Sequence, residues 1–268
     1  MTILALIFLD APTLLTFLQS QSVSLVLLLT FVVCVCCTLM ACLWGEAGLM
    51  VYTSVAVVAA NIQVLKAVPV TLGAEPVALG TIVFGSTFLV SDILTEYCGK
   101  KAAQKNIMLS MGATLFFTVL MMLGAGASIS GLRVPDHNMF LDVHAAMVTL
   151  FTPAPALVVA SLMAYGISQW YDVWIFRTIA RLTHQKYLWL RTLVSTLVSA
   201  FLDTVIFSVL AWRLLAVIPL PWDTIFYTYI LGTYGFRVLI SLSATPCIYL
   251  ARYVMPGATL PAVCVIKK

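Results

Sequence analysis

Four acidic residues, one arginine and several amides fall inside runs that are otherwise apolar, and these are the residues whose types and spacing could do chemistry. Asp92 and Glu96 are four residues apart, with Ser91 and Thr95 beside them, so one helix face presents both carboxylates. Gln169 and Asp172 are three apart, with Ser168 and Tyr171 adjacent. Thr196, Ser199 and Asp203 recur at i, i+3 and i+7, a single polar stripe in an apolar helix. Arg237 lies near the middle of another apolar run, close to Tyr234, and Asn61 and Gln63 end a further one before Lys66. A charged group at bilayer depth costs about 2.5–3.5 kcal/mol on insertion scales, so each needs a partner or a task. Two readings stay open. Arg237 could neutralise Asp203, while Asp92, Glu96 and Asp172 pair with Lys100 and Arg177 and the hydroxyls join helix to helix. Alternatively, carboxylates and an arginine brought together from four helices form a polar cavity for a polar solute.

Catalysis finds no support beside them. The chain has no G-x-S-x-G, no H-E-x-x-H and no phosphate-binding loop, so an enzyme is not expected and no cofactor is implied. Seven cysteines match no zinc or disulfide framework and read as small apolar residues. The segment 129–152 carries Asp136, His137, Asp142 and His144 at a spacing that fits no standard metal site. It reads as an amphipathic helix lying in the membrane interface.

The elements that must position these residues follow from composition. Hydrophobic residues make up 62% of the 268 and charged residues 9%, against roughly 45–50% and 25% in a soluble domain, so the chain lacks the polar surface to stay in water. Seven spans can be drawn, at about 23–44, 48–66, 79–97, 107–125, 154–176, 188–212 and 223–250. They must be helices, because lipid gives backbone groups no partners. The fold class is therefore an all-α integral membrane protein, a helical bundle. Residues 1–45 form an interfacial segment, interrupted by Pro12, and an extra first helix; 46–252 form the core of six helices; 253–268 form a basic tail.

Most of the fourteen Lys and Arg cluster at Lys100, Lys101 and Lys105, at Arg177, Arg181, Lys186 and Arg191, and at Arg252, Lys267 and Lys268. All three groups fall on one side, so the loops 98–106 and 177–191 and the tail are expected in the cytoplasm. The basic patches thus mark topology rather than a nucleic-acid partner. The location expected is the bacterial inner membrane, crossed many times.

Several segments carry a resemblance. VFGSTFLVSDILTEYCGKKAAQ (83–104), ASLMAYGISQWYDVWIFRTIARLT (160–183) with Q-x-x-D-V-x-x-F, LVSTLVSAFLDTVIFSVLAW (193–212) with S-T-x-x-x-x-x-x-D-T, YGFRVLIS (234–241) and VVAANIQVLKAV (57–68) together resemble the vitamin uptake transporters, also called queuosine precursor transporters. The resemblance covers about residues 50–250 and implies six helices, with the N-terminal helix an addition. It also implies uptake of 7-deazaguanine compounds, the cyano and aminomethyl precursors or the base queuine, for tRNA modification. A guanine-like edge suits the residues present. Its N–H groups bond a carboxylate, its carbonyl needs a donor, and its ring stacks on an aromatic face. The substrate-binding set expected is Asn61, Gln63, Asp92, Glu96, Gln169, Tyr171, Asp172, Asp203 and Arg237, with Trp170, Tyr171 and Tyr234 as faces. Asp92, Gln169 and Asp172 are expected to read the base edge. The partners are then the small-molecule substrate and the lipid bilayer, with a homo-oligomer left open. The alternative is a substrate-binding subunit of an ATP-driven vitamin importer, docked through the Ala56 and Ala60 small-residue pair.

Overall fold

The computed structural model describes residues 11–69, 76–127, 137–152, 154–216 and 218–255. Met1–Asp10, Arg133, Asp136, Lys267 and Lys268 lie outside them. Each expected run is helical: α2 is Val23–Cys42, α3 Gly45–Gln63, α4 Gly80–Ile93, α5 Lys100–Gly126, α7 Ala154–Leu182, α8 Leu188–Val209 and α10 Thr233–Val254. Ahead of them α1, Ala11–Ser20, holds Pro12 in its first turn, where a missing N–H costs nothing. The amphipathic segment appears as α6, His137–Phe151, packed on α5 through Phe117 and Phe151. The short α9, Trp222–Thr224, opens the last rod.

Three π-helical stretches extend these helices. Leu94–Cys98 continues α4, Leu210–Leu214 continues α8, and Ile225–Gly232 joins α9 to α10. Among the described residues, five rods are long and apolar enough to cross a membrane, and α6 with α7, bent by 47°, makes a sixth if counted as one span. The chain is a multi-pass membrane protein built as a helical bundle.

The α4 rod is the axis of the bundle. All its α-helical residues except Gly85 are buried, with α2, α3, α7 and α10 packed around it. Such enclosure explains how it carries Asp92 without facing lipid. Two glycines permit the close packing. A Cβ on Gly80 would sit 2.4 Å from the Ala60 carbonyl oxygen on α3, and one on Gly85 would sit 2.7 Å from Ile240 on α10. Ala56 and Ala60 are themselves buried against this helix, so that small-residue pair is used within the chain and is not an outer docking face.

The connections are shorter than the sequence suggests. Gly99 alone joins the α4 rod to α5, at φ 89°, a region that favours glycine. The expected loop 177–191 shrinks to residues 183–187, because α7 runs on through Arg177 and Arg181 and α8 starts at Leu188. Opposite, β1, Ala67–Pro69, pairs antiparallel with β2, Pro76–Ala78, in the register Ala67 to Ala78, Val68 to Val77 and Pro69 to Pro76. The bundle therefore has a basic end, at Gly99 and residues 183–187, and a hairpin end.

Candidate functional site

Asp203 lies deep in α8, and Arg237 reaches it from α10. The two form a buried ion pair. The same guanidinium lies 3.5 Å from the Ala200 carbonyl, Ser168 on α7 donates to Asp203 Oδ1 at 3.3 Å, and Arg237 Nε has no protein partner. This group borders a cavity of about 210 Å³ that reaches toward the hairpin end. Asn61 of α3, Thr81 and Phe84 of α4, Ser161 of α7, and Thr204 and Ser208 of α8 also line it. Part of its lining is aromatic. Trp212 and Tyr229 stand 5.0 Å apart with a 35° tilt, and Phe207 meets Trp212 edge-on. The indole N–H of Trp212 is buried without a protein partner. Both Trp212 and Tyr229 sit on π-helical turns, a geometry that recurs at functional sites.

A second polar group lies toward the basic end, where α4, α7 and α8 meet. Asp92, Gln169 and Asp172 are sealed from solvent there. Asp92 accepts from Thr196 Oγ1 at 3.2 Å and from Ser195 Oγ at 3.5 Å. Ser195, Ser199 and Asp92 surround the Asp172 carboxylate, yet neither of its oxygens has a partner at hydrogen-bond geometry. Gln169 donates through Nε2 to Thr87 Oγ1 at 3.4 Å, and its Oε1 has no partner.

A third group closes the basic end. Arg191 pairs with Glu96, donates to Gln185 Oε1 at 2.8 Å and stacks 5.3 Å over the Phe176 ring. Gln185 is presented by a short loop in which His184, Gln185 and Tyr187 all adopt positive φ. Such backbone costs on the order of 1–3 kcal/mol per residue and persists only where its surroundings enforce it.

The nine residues expected at one site are thus divided. Asn61, Asp203 and Arg237 line the cavity; Asp92, Gln169 and Asp172 form the sealed group; Glu96 belongs to the basic end. Glu96 is not held by Lys100 or Arg177, which are exposed; its partner is Arg191. The side chain of Gln63 is partly buried, its Oε1 has no partner, and it does not line the cavity. Tyr171 is a correction. It is 47% exposed on the outer face of α7 beside Trp174, because residues two past Gln169 and one before Asp172 point away from the face those two share. Trp170 is exposed for the same reason, and Tyr234 packs on Phe201 and donates to Leu197 O rather than entering the cavity.

Arg191, Trp212 and Tyr229 stand in the candidate site without having been singled out from the sequence. Arg191 carried a signal: with Thr192, Ser195, Thr196, Ser199 and Asp203 it continues one buried stripe along α8. The two aromatics carried none, since a π turn breaks the 100° spacing that a helical pattern assumes.

Comparisons with known proteins show the family of the chain. The sequence profile described as "Putative vitamin uptake transporter" matches residues 78–251, a range holding all three charged groups. A protein of Bacillus subtilis (strain 168) named "Probable queuosine precursor transporter" is 32% identical over 221 residues, covering 80% of this chain and 87% of the relative. No solved structure matches.

Proposed function

The chain belongs to the vitamin uptake transporter family, and from that premise we propose that it imports queuosine precursors, 7-deazaguanine bases, through the cavity beside Arg237 and Asp203. The observation that carries this reading is the make-up of one wall set. A charged pair, an amide and two neighbouring aromatic rings line the same cavity. A flat heteroaromatic base needs both polar groups and rings. Its carbonyl oxygen takes an N–H from Arg237, its own N–H groups bond Asp203, and its ring stacks beside Trp212 and Tyr229.

In this reading the basic end is cytoplasmic, since Lys and Arg bias retention there, and the cavity opens to the outside of the inner membrane. The Arg191–Glu96 closure then keeps the bundle shut toward the cytoplasm while the base enters.

The test is uptake in a bacterial strain that lacks its own carrier and queuosine synthesis. The cyano precursor, the aminomethyl precursor and queuine are supplied separately, and queuosine in tRNA is measured. At least one should restore it when this chain is expressed alone. If none does, with the protein present in the membrane, the substrate reading is wrong. Restoration only when an ATP-driven energising module is present would favour the subunit reading instead.

A further inference from the structure

We propose that Asp172, with Asp92, Gln169 and Ser199 around it, binds a monovalent metal cation of sodium size between α4, α7 and α8. The cation's purpose, to drive uptake, rests on the transporter reading; its chemistry does not.

Charge balance comes first. Among the described residues, Asp92, Glu96, Asp172 and Asp203 are the carboxylates enclosed in the bundle, and Arg191 and Arg237 are the enclosed cations. Each arginine is paired with one acid, leaving Asp92 and Asp172. Lys100, Lys101, Lys105 and Arg177 are exposed and do not enter the space. Asp92 has its negative charge shared by two hydroxyl donors. Asp172 has no cation beside it and, although Ser195 and Ser199 stand around it, no donor meets its oxygens at hydrogen-bond geometry; it is wholly enclosed. An isolated charge in such surroundings is strongly disfavoured unless a counter-charge is present.

The second observation is the orientation of Gln169. Thr87 donates its hydroxyl proton to Phe84 O at 2.7 Å, so Thr87 Oγ1 meets Gln169 as an acceptor. The amide must therefore give Thr87 its N–H and turn its oxygen the other way. That oxygen is wholly buried and unpartnered, and it belongs to a residue three before Asp172 on the same face of α7. Ser199 Oγ, also buried and unpartnered, faces Asp172 from α8. An amide oxygen and a carboxylate hold lone pairs only, so neither can satisfy the other. A cation between them satisfies both.

The donor set also fixes the class of ion. Every atom offered is a hard oxygen, which suits an alkali or alkaline-earth ion and not a soft metal. Among the described residues no three His, Cys, Asp or Glu side chains converge, whereas divalent sites draw on several carboxylates. Two carboxylates lack a cation here, but Asp92 already accepts from hydroxyl donors, so the unmet charge to be answered is the one on Asp172. Coupling to the cavity has a short path. Ser168, next to Gln169 in α7, donates to Asp203 in the cavity wall. A cation that stabilises this part of α7 in one arrangement would alter affinity at the cavity, and the ligand would alter cation affinity equally.

The test is thermal unfolding of the purified full-length chain in lipid nanodiscs without organic ligand. Sodium, potassium and choline chlorides are titrated at constant pH and ionic strength. Sodium should raise the Tm in a saturable way; the other two should not. Asp172→Asn should abolish the sodium shift. Because that variant can also fail to fold, Ser199→Ala provides a second arm: it keeps the charge and should weaken apparent sodium affinity about tenfold. Tyr171→Phe should keep the full shift. Equal Tm in all three chlorides overturns the proposal, and so does a Tm that follows pH but not sodium. A sodium shift that survives in Asp172→Asn overturns the assignment of the site. Since no base is present, failure here leaves the uptake reading standing, and failure of uptake leaves the sodium shift intact.

Discussion

The bundle contains two buried arginine–carboxylate pairs, and their surroundings differ more than their chemistry does. Arg237 and Asp203 border a cavity, Arg237 Nε is unpartnered, and aromatic rings share the lining. Arg191 and Glu96 do not line that cavity; Phe176 lies against the guanidinium and Gln185 takes one of its N–H groups. A pair with free hydrogen-bonding capacity beside open space can accept a ligand. A pair capped by a ring and a constrained loop holds helices α4, α7 and α8 together at one end. The same ion pair thus supports recognition in one place and closure in the other, and the neighbours decide which.

The largest effect should come from orphaning one partner of the cavity pair. Arg237→Ala leaves Asp203 enclosed without its counter-charge, at a cost of about 3–5 kcal/mol. Folded protein in the membrane should fall sharply, as read by detergent-solubilised fluorescence chromatography. Arg237→Ala combined with Asp203→Ala should recover much of that abundance but not uptake. Recovery of both would show that the pair only holds helices together.

Next is the aromatic part of the lining. Trp212→Ala removes a stacking surface worth about 1–3 kcal/mol per base, so half-saturation of uptake should rise roughly tenfold to a hundredfold with abundance little changed. Trp212→Phe keeps a ring but deletes the unpartnered N–H, and should lie between the two. Unchanged half-saturation in Trp212→Ala would move the ligand away from this wall.

How far the sequence reveals these two regions depends on helical regularity. Asp92, Gln169, Asp172 and Asp203 were legible as buried because 3.6-residue spacing holds along α4, α7 and α8. The same spacing would have turned Tyr171 outward, had it been applied residue by residue. Basic residues usually mark loops, so the sequence pattern puts Arg191 in one, whereas α8 encloses it three residues past its start. The cavity was not legible. Its aromatic wall is set by the π turns at Leu210–Leu214 and Ile225–Gly232, and its depth by the α3–α4 approach at Gly80. Neither has a periodic signature. The one-residue turn at Gly99 and the hairpin between β1 and β2 likewise depend on tertiary contacts.

The closure at the basic end gives a smaller expectation. Arg191→Lys keeps the charge near Glu96 but loses the planar group that spans Phe176 and Gln185. The protein should still fold. Gln185→Ala should act in the same direction more weakly, removing one hydrogen bond to a charged group worth about 1.5–3 kcal/mol, part of which solvent at the bundle end replaces. If this pair is a closure, both variants should raise labelling of cysteines introduced around Asp172 by a thiol reagent applied from the basic end. They should leave half-saturation for the base unchanged.

The smallest effect separates the cavity from the outer face of α7. Tyr171 shares a sequence motif with Gln169 and Asp172, but its ring is half exposed and touches Trp174 rather than any cavity residue. Tyr171→Phe removes only a hydroxyl on that face, and surface substitutions of this kind usually fall within about 0.5 kcal/mol. Uptake rate, half-saturation and Tm should all match the parent protein. Trp212→Phe, measured beside it, should raise half-saturation while its Tm stays close to the parent's. A loss of affinity in Tyr171→Phe equal to that in Trp212→Phe would mean that α7 turns during transport and brings its outer face to the substrate. The two-region comparison would then describe only one of the states the protein visits.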